Sequence, residues 1–118
     1  MLTFVCHPRC GTCKKARAFL NGIGAEYMVR DITSENPTRD ELEKWLEICG
    51  RDVKKAFNTS GLQYRALGLK DKLMQMSADE ALELLASDGM LVKRPVLVGD
   101  GFVLFGFKEA EWAEKLNK

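Results

Sequence analysis

The decapeptide CHPRCGTCKK (residues 6–15) gathers three of the chain's four cysteines, its one histidine and the cations Arg9, Lys14 and Lys15. The residues leading into it, LTFVC (2–6), form a β-branched and aromatic run of the kind that makes a short buried strand. HPRCG then marks a turn through its proline and glycine. TCKKARAFLNG carries helix-forming residues, with Ala16, Phe19 and Leu20 on one side and Gly22 as a stop. AEYMVRDI (25–32) reads as a second strand, with Tyr27 and Val29 alternating. Residues 1–32 are therefore expected to fold as strand–helix–strand, parallel and right-handed, with the cysteine turn feeding the helix.

That placement gives the cysteines unequal chemistry. If the strand ends at Cys6 and the helix begins at Gly11 or Thr12, Cys10 stands at the helix N-terminus. There the free backbone N–H groups and the macrodipole favour an anion. Arg9, Lys14, Lys15 and Arg17 add positive charge within two turns. A free thiol titrates near ~8.5, and such a setting lowers it to roughly 3.5–7.5. Cys10 is thus the expected nucleophile, with Lys14 among the groups that stabilise its thiolate. Cys13, three residues on, is placed to resolve a mixed disulfide.

Other readings stay open on spacing alone. A zinc site could draw on Cys6, Cys10, Cys13 and either His7 or Cys49, but the second C-x-x-C or H-x-x-H half that zinc sites use is missing. A purely structural pair would find poor burial among so many cations. No metal is expected. Cys6, at a strand end, reads as a small hydrophobe, Cys49 as a core residue on the apolar face of its helix, and His7 as a turn residue.

The remainder of the chain changes period twice. NPTRDELEKWLEICG offers Thr38 with Glu41 as a capping box, apolar Leu42, Trp45, Leu46 and Cys49 at helical spacing, and Gly50 as a stop. RDVKKAFN suggests another helical turn or two, and TSGLQYRALGLKDKL a loop with a short helix. SADEALELLASDG repeats the grammar with Ser77, Glu80, Leu82, Leu84, Leu85 and Gly89. PVLVGDGFVLFG is then two apolar strands joined by Asp100-Gly101, a strong hairpin signal, and FKEAEWAEKLNK closes as an amphipathic helix. Without the helical block (about 36–88), a βαβ–ββα order remains. The expectation is an α/β fold with a thioredoxin-like core and a helical insertion between the second and third strands, as one domain spanning 1–118. In such a core the residue opening the third strand packs against the cysteine turn. This makes Pro95 a candidate cis-proline and places the Arg94 guanidinium near Cys10, able to hold a thiolate or oxyanion.

Composition narrows the class. The chain has 118 residues, 46% hydrophobic and 30% charged, with a net charge of +1. That balance excludes a global field for nucleic acid and leaves no apolar run long enough for a membrane span. A cytoplasmic monomer is expected, in a compartment where a clustered C-x-x-C is catalytic or metal-binding more often than structural. Residues 51–72 carry six basic and two acidic side chains, a solvated face or a partner surface.

Taken together, HPRCGTCKKARAFL, YRALGLKDKL, KRPVLV and GFKEAEW resemble the family of ArsC-type arsenate reductases and Spx-type regulators, over essentially the whole chain. The resemblance implies a thioredoxin-like domain with the catalytic thiol at Cys10 and an oxyanion-contacting arginine at Arg94. It also implies an external reductant, a small thiol or a glutaredoxin- or thioredoxin-type protein, and no bound cofactor. The implied substrate is a small oxyanion or a disulfide. Two departures bear on which. Arsenate reductases of this type use three arginines; here Asn58 and Thr59 stand where the second belongs, and Lys108 is the nearest cation to the third. Charge-assisted hydrogen bonds contribute about 1.5–3 kcal/mol each, so losing two weakens the hold on a doubly charged oxyanion such as arsenate. Those enzymes also commonly lack a cysteine at the place of Cys13. The C-x-x-C is similar instead to Spx-type regulators, which use it as a redox switch and bind RNA polymerase. Gly50 matches a glycine of their polymerase contact, whereas Ser60 replaces the accompanying arginine.

Overall fold

The computed structural model describes residues 2–116. Its contacts partition the chain into two compact units, one running up to Asp31 and again from Arg94, the other spanning Ile32–Lys93.

The first unit is built on a four-stranded sheet of β1 (Leu2–Cys6), β2 (Tyr27–Asp31), β3 (Val96–Gly99) and β4 (Phe102–Phe105), in the order β2-β1-β3-β4. β1 runs parallel to β2, with Phe4 opposite Val29 and Cys6 opposite Asp31, and helix α1 (Gly11–Gly22) makes the crossover. β3 is antiparallel to both β1 and β4. Gly101, at φ 81°, supplies the left-handed residue that the two-residue Asp100-Gly101 turn requires. Helix α6 (Glu109–Leu116) follows. This is the βαβ–ββα order read from the sequence.

Period-two alternation sends Phe4, Cys6, Leu97 and Leu104 to one face of the sheet. There they form a single buried cluster with Cys13, Ala16 and Leu20 of α1 and Trp112 of α6. Val5, Val96, Val103 and Phe105, on the opposite alternation, are buried as well, which is why these strands read as continuous apolar runs. Trp112 is the largest fully buried side chain among the described residues. Its ring meets Phe107 edge-on at 4.9 Å and Phe4 at 6.3 Å, and its Nε1–H donates to the Gly106 carbonyl at 3.0 Å. Gly106, at φ 80°, donates its own N–H to the Pro95 carbonyl at 2.8 Å, so the end of β4 is tied to the start of β3.

The second unit is helical. α2 (Arg39–Cys49) and α5 (Ala78–Ser87) each begin with the expected capping box, Thr38 with Glu41 and Ser77 with Glu80. Between them lie α3 (Leu62–Ala66), α4 (Leu69–Lys72) and 3-10 turns at Val53–Ala56 and Leu73–Gln75; a third turn, Gly89–Leu91, follows α5. Leu42, Trp45 and Leu46 of α2 and Ala81, Leu82 and Leu85 of α5 are buried, as are Phe57, Leu69 and Leu73. Arg39 binds Glu43 at 2.9 Å on its own helix, and Asp79 at 2.5 Å and Glu83 at 2.9 Å on α5. No helix among the described residues is long and apolar enough to cross a membrane.

Several local readings change. β2 lies at the sheet edge, so Met28 and Val29 are both exposed and the alternation assigned to Tyr27 and Val29 does not bury Val29. Cys49 sits in the last turn of α2, half-buried rather than in the core, with its thiol directed at the Leu46 carbonyl at 3.6 Å. Gly89 is required by space and not by a left-handed stop: a Cβ there would run into the Ile32 carbonyl and the Asn36 side chain.

Candidate functional site

The turn between β1 and α1 is fixed by backbone and by His7. The Cys10 N–H donates to the His7 carbonyl at 3.1 Å, and the Arg9 N–H donates to His7 Nδ1 at 3.2 Å. The imidazole is thereby committed to shaping the turn, as expected of it. Cys10 is the N-cap residue of α1, with extended backbone (φ −83°, ψ 121°), and Gly11 begins the helix. The Lys14 N–H donates to the Cys10 carbonyl at 3.1 Å, the first intrahelical bond. Cys10 is half-buried, Cys13 and Cys6 are buried, and all four cysteines are free thiols.

The environments push the first two thiols apart. Partial burial pushes the Cys10 thiol up, but the Cys13 N–H, the Cys13 thiol and the Arg94 guanidinium all act on its sulfur and outweigh burial, so the net shift is downward. The contact with the Cys13 N–H is looser than a strict cap hydrogen bond; it still presents a helix N-terminal dipole to a developing anion. Burial drives Cys13 the other way, to about 12, helped by the neighbouring Cys10 and Cys6 sulfurs and opposed by the His7 N–H, which donates to Cys13 Sγ at 3.5 Å. Cys6 is also raised, chiefly by burial.

Arg94 opens β3 through a cis Arg94–Pro95 peptide bond and is the cation that acts on Cys10. Lys14, offered by the sequence for the same task, has its side chain exposed on α1, one residue past the buried Cys13. Lys108 is exposed at the start of α6, where its carbonyl accepts from the Trp112 N–H. Asn58, Thr59 and Ser60 belong to the helical unit: the Asn58 N–H donates to the Leu91 carbonyl at 2.7 Å, and Thr59 and Ser60 are exposed. Cys49 belongs to that unit too. Among the described residues, no three His, Cys, Asp or Glu side chains converge to hold a metal ion. Sequence reasoning did not anticipate the close approach of the His7 N–H to Cys13, which brings the end of β1 against the first turn of α1. The signal was available, because period two puts Cys6 on the same face as Phe4.

Residues 6–115 match the ArsC family. Among curated proteins, an uncharacterized protein of Bacillus subtilis, YusI, is 50% identical over 113 residues, covering 96% of both chains. The regulatory protein MgsR of Bacillus subtilis is 31% identical over 99% of this chain and 90% of its own, and an arsenate reductase of Rhizobium meliloti is 30% identical over 82% and 68%. Among solved structures, a possible arsenate reductase from Streptococcus mutans superposes with a TM-score of 0.88 at 50% identity, covering 100% of this chain and 98% of that one.

Proposed function

The chain belongs to the ArsC family, and from that premise and the geometry of its cysteine turn we propose that it is a thiol-dependent oxidoreductase with Cys10 as nucleophile and Cys13 as resolving thiol. The observation that carries the reading is the split between the two thiols, Cys10 lowered at a helix N-terminus beside Arg94 and Cys13 raised by burial behind it. The thiol whose pKa is lowered is also the half-exposed one, as a nucleophile must be.

In the proposed cycle the Cys10 thiolate attacks one sulfur of a disulfide. That S–S bond breaks, its electron pair leaves with the first thiolate, and a mixed disulfide forms on Cys10. The negative charge on Cys10 that helped to hold the Cys13 proton is then gone. Cys13 loses that proton to solvent and attacks the Cys10 sulfur, expelling the second substrate thiolate and closing a Cys10–Cys13 disulfide. Two reducing equivalents from an external thiol, small or protein-borne, restore the pair. Arg94 steadies the anionic sulfur at each exchange. Arg94 is the guanidinium that acts on Cys10, and one such group suits a disulfide better than a doubly charged oxyanion, so arsenate ranks second among the proposed substrates. The reaction belongs in a reducing cytoplasm.

A coupled assay with oxidised glutathione and with arsenate, run on the wild type, Cys10→Ser and Cys13→Ser, tests this. Disulfide turnover abolished in Cys10→Ser and slowed with trapped mixed disulfide in Cys13→Ser is the expected result; equal turnover in all three would refute it. A second reading, a redox switch that binds RNA polymerase, draws on the likeness to MgsR over nearly the whole chain. Purified polymerase failing to bind either the reduced or the oxidised protein would remove it.

A further inference from the structure

The proposed cycle uses two cysteines of the turn and leaves the third, Cys6, without a role. Its position is not that of an ordinary core residue. Cys6 and Cys13 lie in the same buried cluster, one from the end of β1 and one from the first turn of α1. The His7 N–H donates to Cys13 Sγ at 3.5 Å, and the His7 nitrogen is covalently about 2.4 Å from the Cys6 Cα. The Cys13 sulfur is therefore held within about 6 Å of the Cys6 Cα, so the two sulfurs lie within a side chain's reach of each other.

We propose that Cys6 is a third redox thiol, which attacks Cys13 in the oxidised protein, forms a buried Cys6–Cys13 disulfide and releases Cys10 as a free thiolate. The proposal rests on the thiol–disulfide reading of the same turn. The exchange balances internally: the Cys6 sulfur, having lost its proton to solvent, attacks Cys13 Sγ; the Cys10–Cys13 bond breaks; its electron pair leaves on Cys10. No oxidant is consumed, because the two oxidising equivalents taken from the substrate disulfide move from one pair to the other.

The asymmetry of the environments sets the direction. With Cys10 and Cys13 joined, the free sulfur is Cys6, a protonated thiol in an apolar core. With Cys6 and Cys13 joined, the free sulfur is Cys10, whose thiolate form Arg94 and the N-terminus of α1 favour. The more acidic thiol is the better leaving group, and its thiolate is the more stable product. Oxidised protein would thus keep a reactive thiolate at its surface, ready for a second disulfide or for the reductant, while the stored equivalents sit out of solvent.

The test is disulfide mapping on the full chain. Reduced protein is treated with oxidised glutathione, quenched with acid at successive times, alkylated with N-ethylmaleimide under denaturing conditions, digested and analysed by mass spectrometry. Cys10–Cys13 should appear first and give way to Cys6–Cys13 as the major isomer, with the alkyl group on Cys10; Cys6→Ala should stop at Cys10–Cys13. Cys10–Cys13 persisting in the wild type with Cys6 alkylated at every time overturns the relay and leaves the oxidoreductase reading standing. Absence of any intramolecular disulfide, with Cys10 carrying glutathione indefinitely, overturns both. The wild-type map decides the matter even where Cys6→Ala folds poorly.

Discussion

Replacing Trp112 by phenylalanine tests the core that holds the cysteine turn. Trp112 is fully buried, and its Nε1–H donates to the Gly106 carbonyl at 3.0 Å. Phenylalanine removes the donor and leaves a buried carbonyl with one partner fewer, at a cost of about 1–3 kcal/mol. The smaller ring also forfeits transfer free energy and leaves a void, together about 1–2 kcal/mol. The edge-on contact with Phe107 survives in part, since an aromatic ring remains. The expected destabilisation is about 2–5 kcal/mol, a large share of the 5–15 kcal/mol that typical domains possess. Urea unfolding followed by far-ultraviolet circular dichroism measures it, with an unchanged slope as the sign that only stability moved. Gly106 also donates to the Pro95 carbonyl, so loosening it should disturb Arg94 and slow alkylation of Cys10 in the folded protein. A loss no larger than the about 1–2 kcal/mol of the smaller ring and its void would refute the assignment of a contributing hydrogen bond to Gly106. A full loss of stability with unaltered Cys10 reactivity would refute the link from Trp112 to the site.

Arg94→Met should shift the pH profile of Cys10 alkylation upward, because it removes both a hydrogen bond and a charge that favour the thiolate; a larger shift in Lys14→Met would reverse the roles given to the two cations. Stability should respond to alkali through Cys13. Its thiol holds a proton to about 12 when folded against 9.0 ordinarily, so its contribution is complete below pH 9 and is lost as pH rises through about 12. Cys10 has the opposite sign, its lowered value contributing above pH 9 and fading as pH falls through the folded value. Urea midpoints measured upward from pH 9 should fall more steeply for the wild type than for Cys13→Ala, and parallel curves would contradict the assignment. Gly89→Ala should cost about 1–3 kcal/mol through overpacking against the Ile32 carbonyl and Asn36, read as a lowered urea midpoint.

What the sequence conveyed well was local. Thr38 with Glu41 and Ser77 with Glu80 are self-contained hydrogen-bonding units, and each starts a helix where the pattern places it. Asp100-Gly101 specifies its hairpin through one left-handed residue. Cys10 at the N-cap followed from the proline and glycine that frame the turn. The readings that changed depend on neighbours remote in sequence. Tyr27 and Val29 alternate correctly, but sheet order makes β2 an edge, and edge position is not written in the strand itself. Lys14 is adjacent in sequence to Cys13 yet projects outward, because successive helical residues turn by about 100°. Arg94 acts on Cys10 from across eighty-odd positions because β3 pairs with β1.

The same geometry explains why one stretch of ten residues holds both an acidic thiol and a basic one. The helix N-terminus and Arg94 lie on the side of the turn where Cys10 is half-exposed. Cys13, one turn along α1, has rotated into the buried cluster with Phe4, Leu20 and Trp112, where burial raises its thiol. A C-x-x-C at a helix start therefore divides the labour by periodicity alone: three residues carry the second sulfur about 300° around the axis and under the first turn. The His7 N–H, one residue beyond Cys6 at the end of β1, reaches that same sulfur from the strand side. Moving the motif by one residue along α1 would turn Cys13 toward solvent, lower its thiol and cut its approach to Cys6, so an insertion between Gly11 and Thr12 should abolish the difference in alkylation rate between the two cysteines.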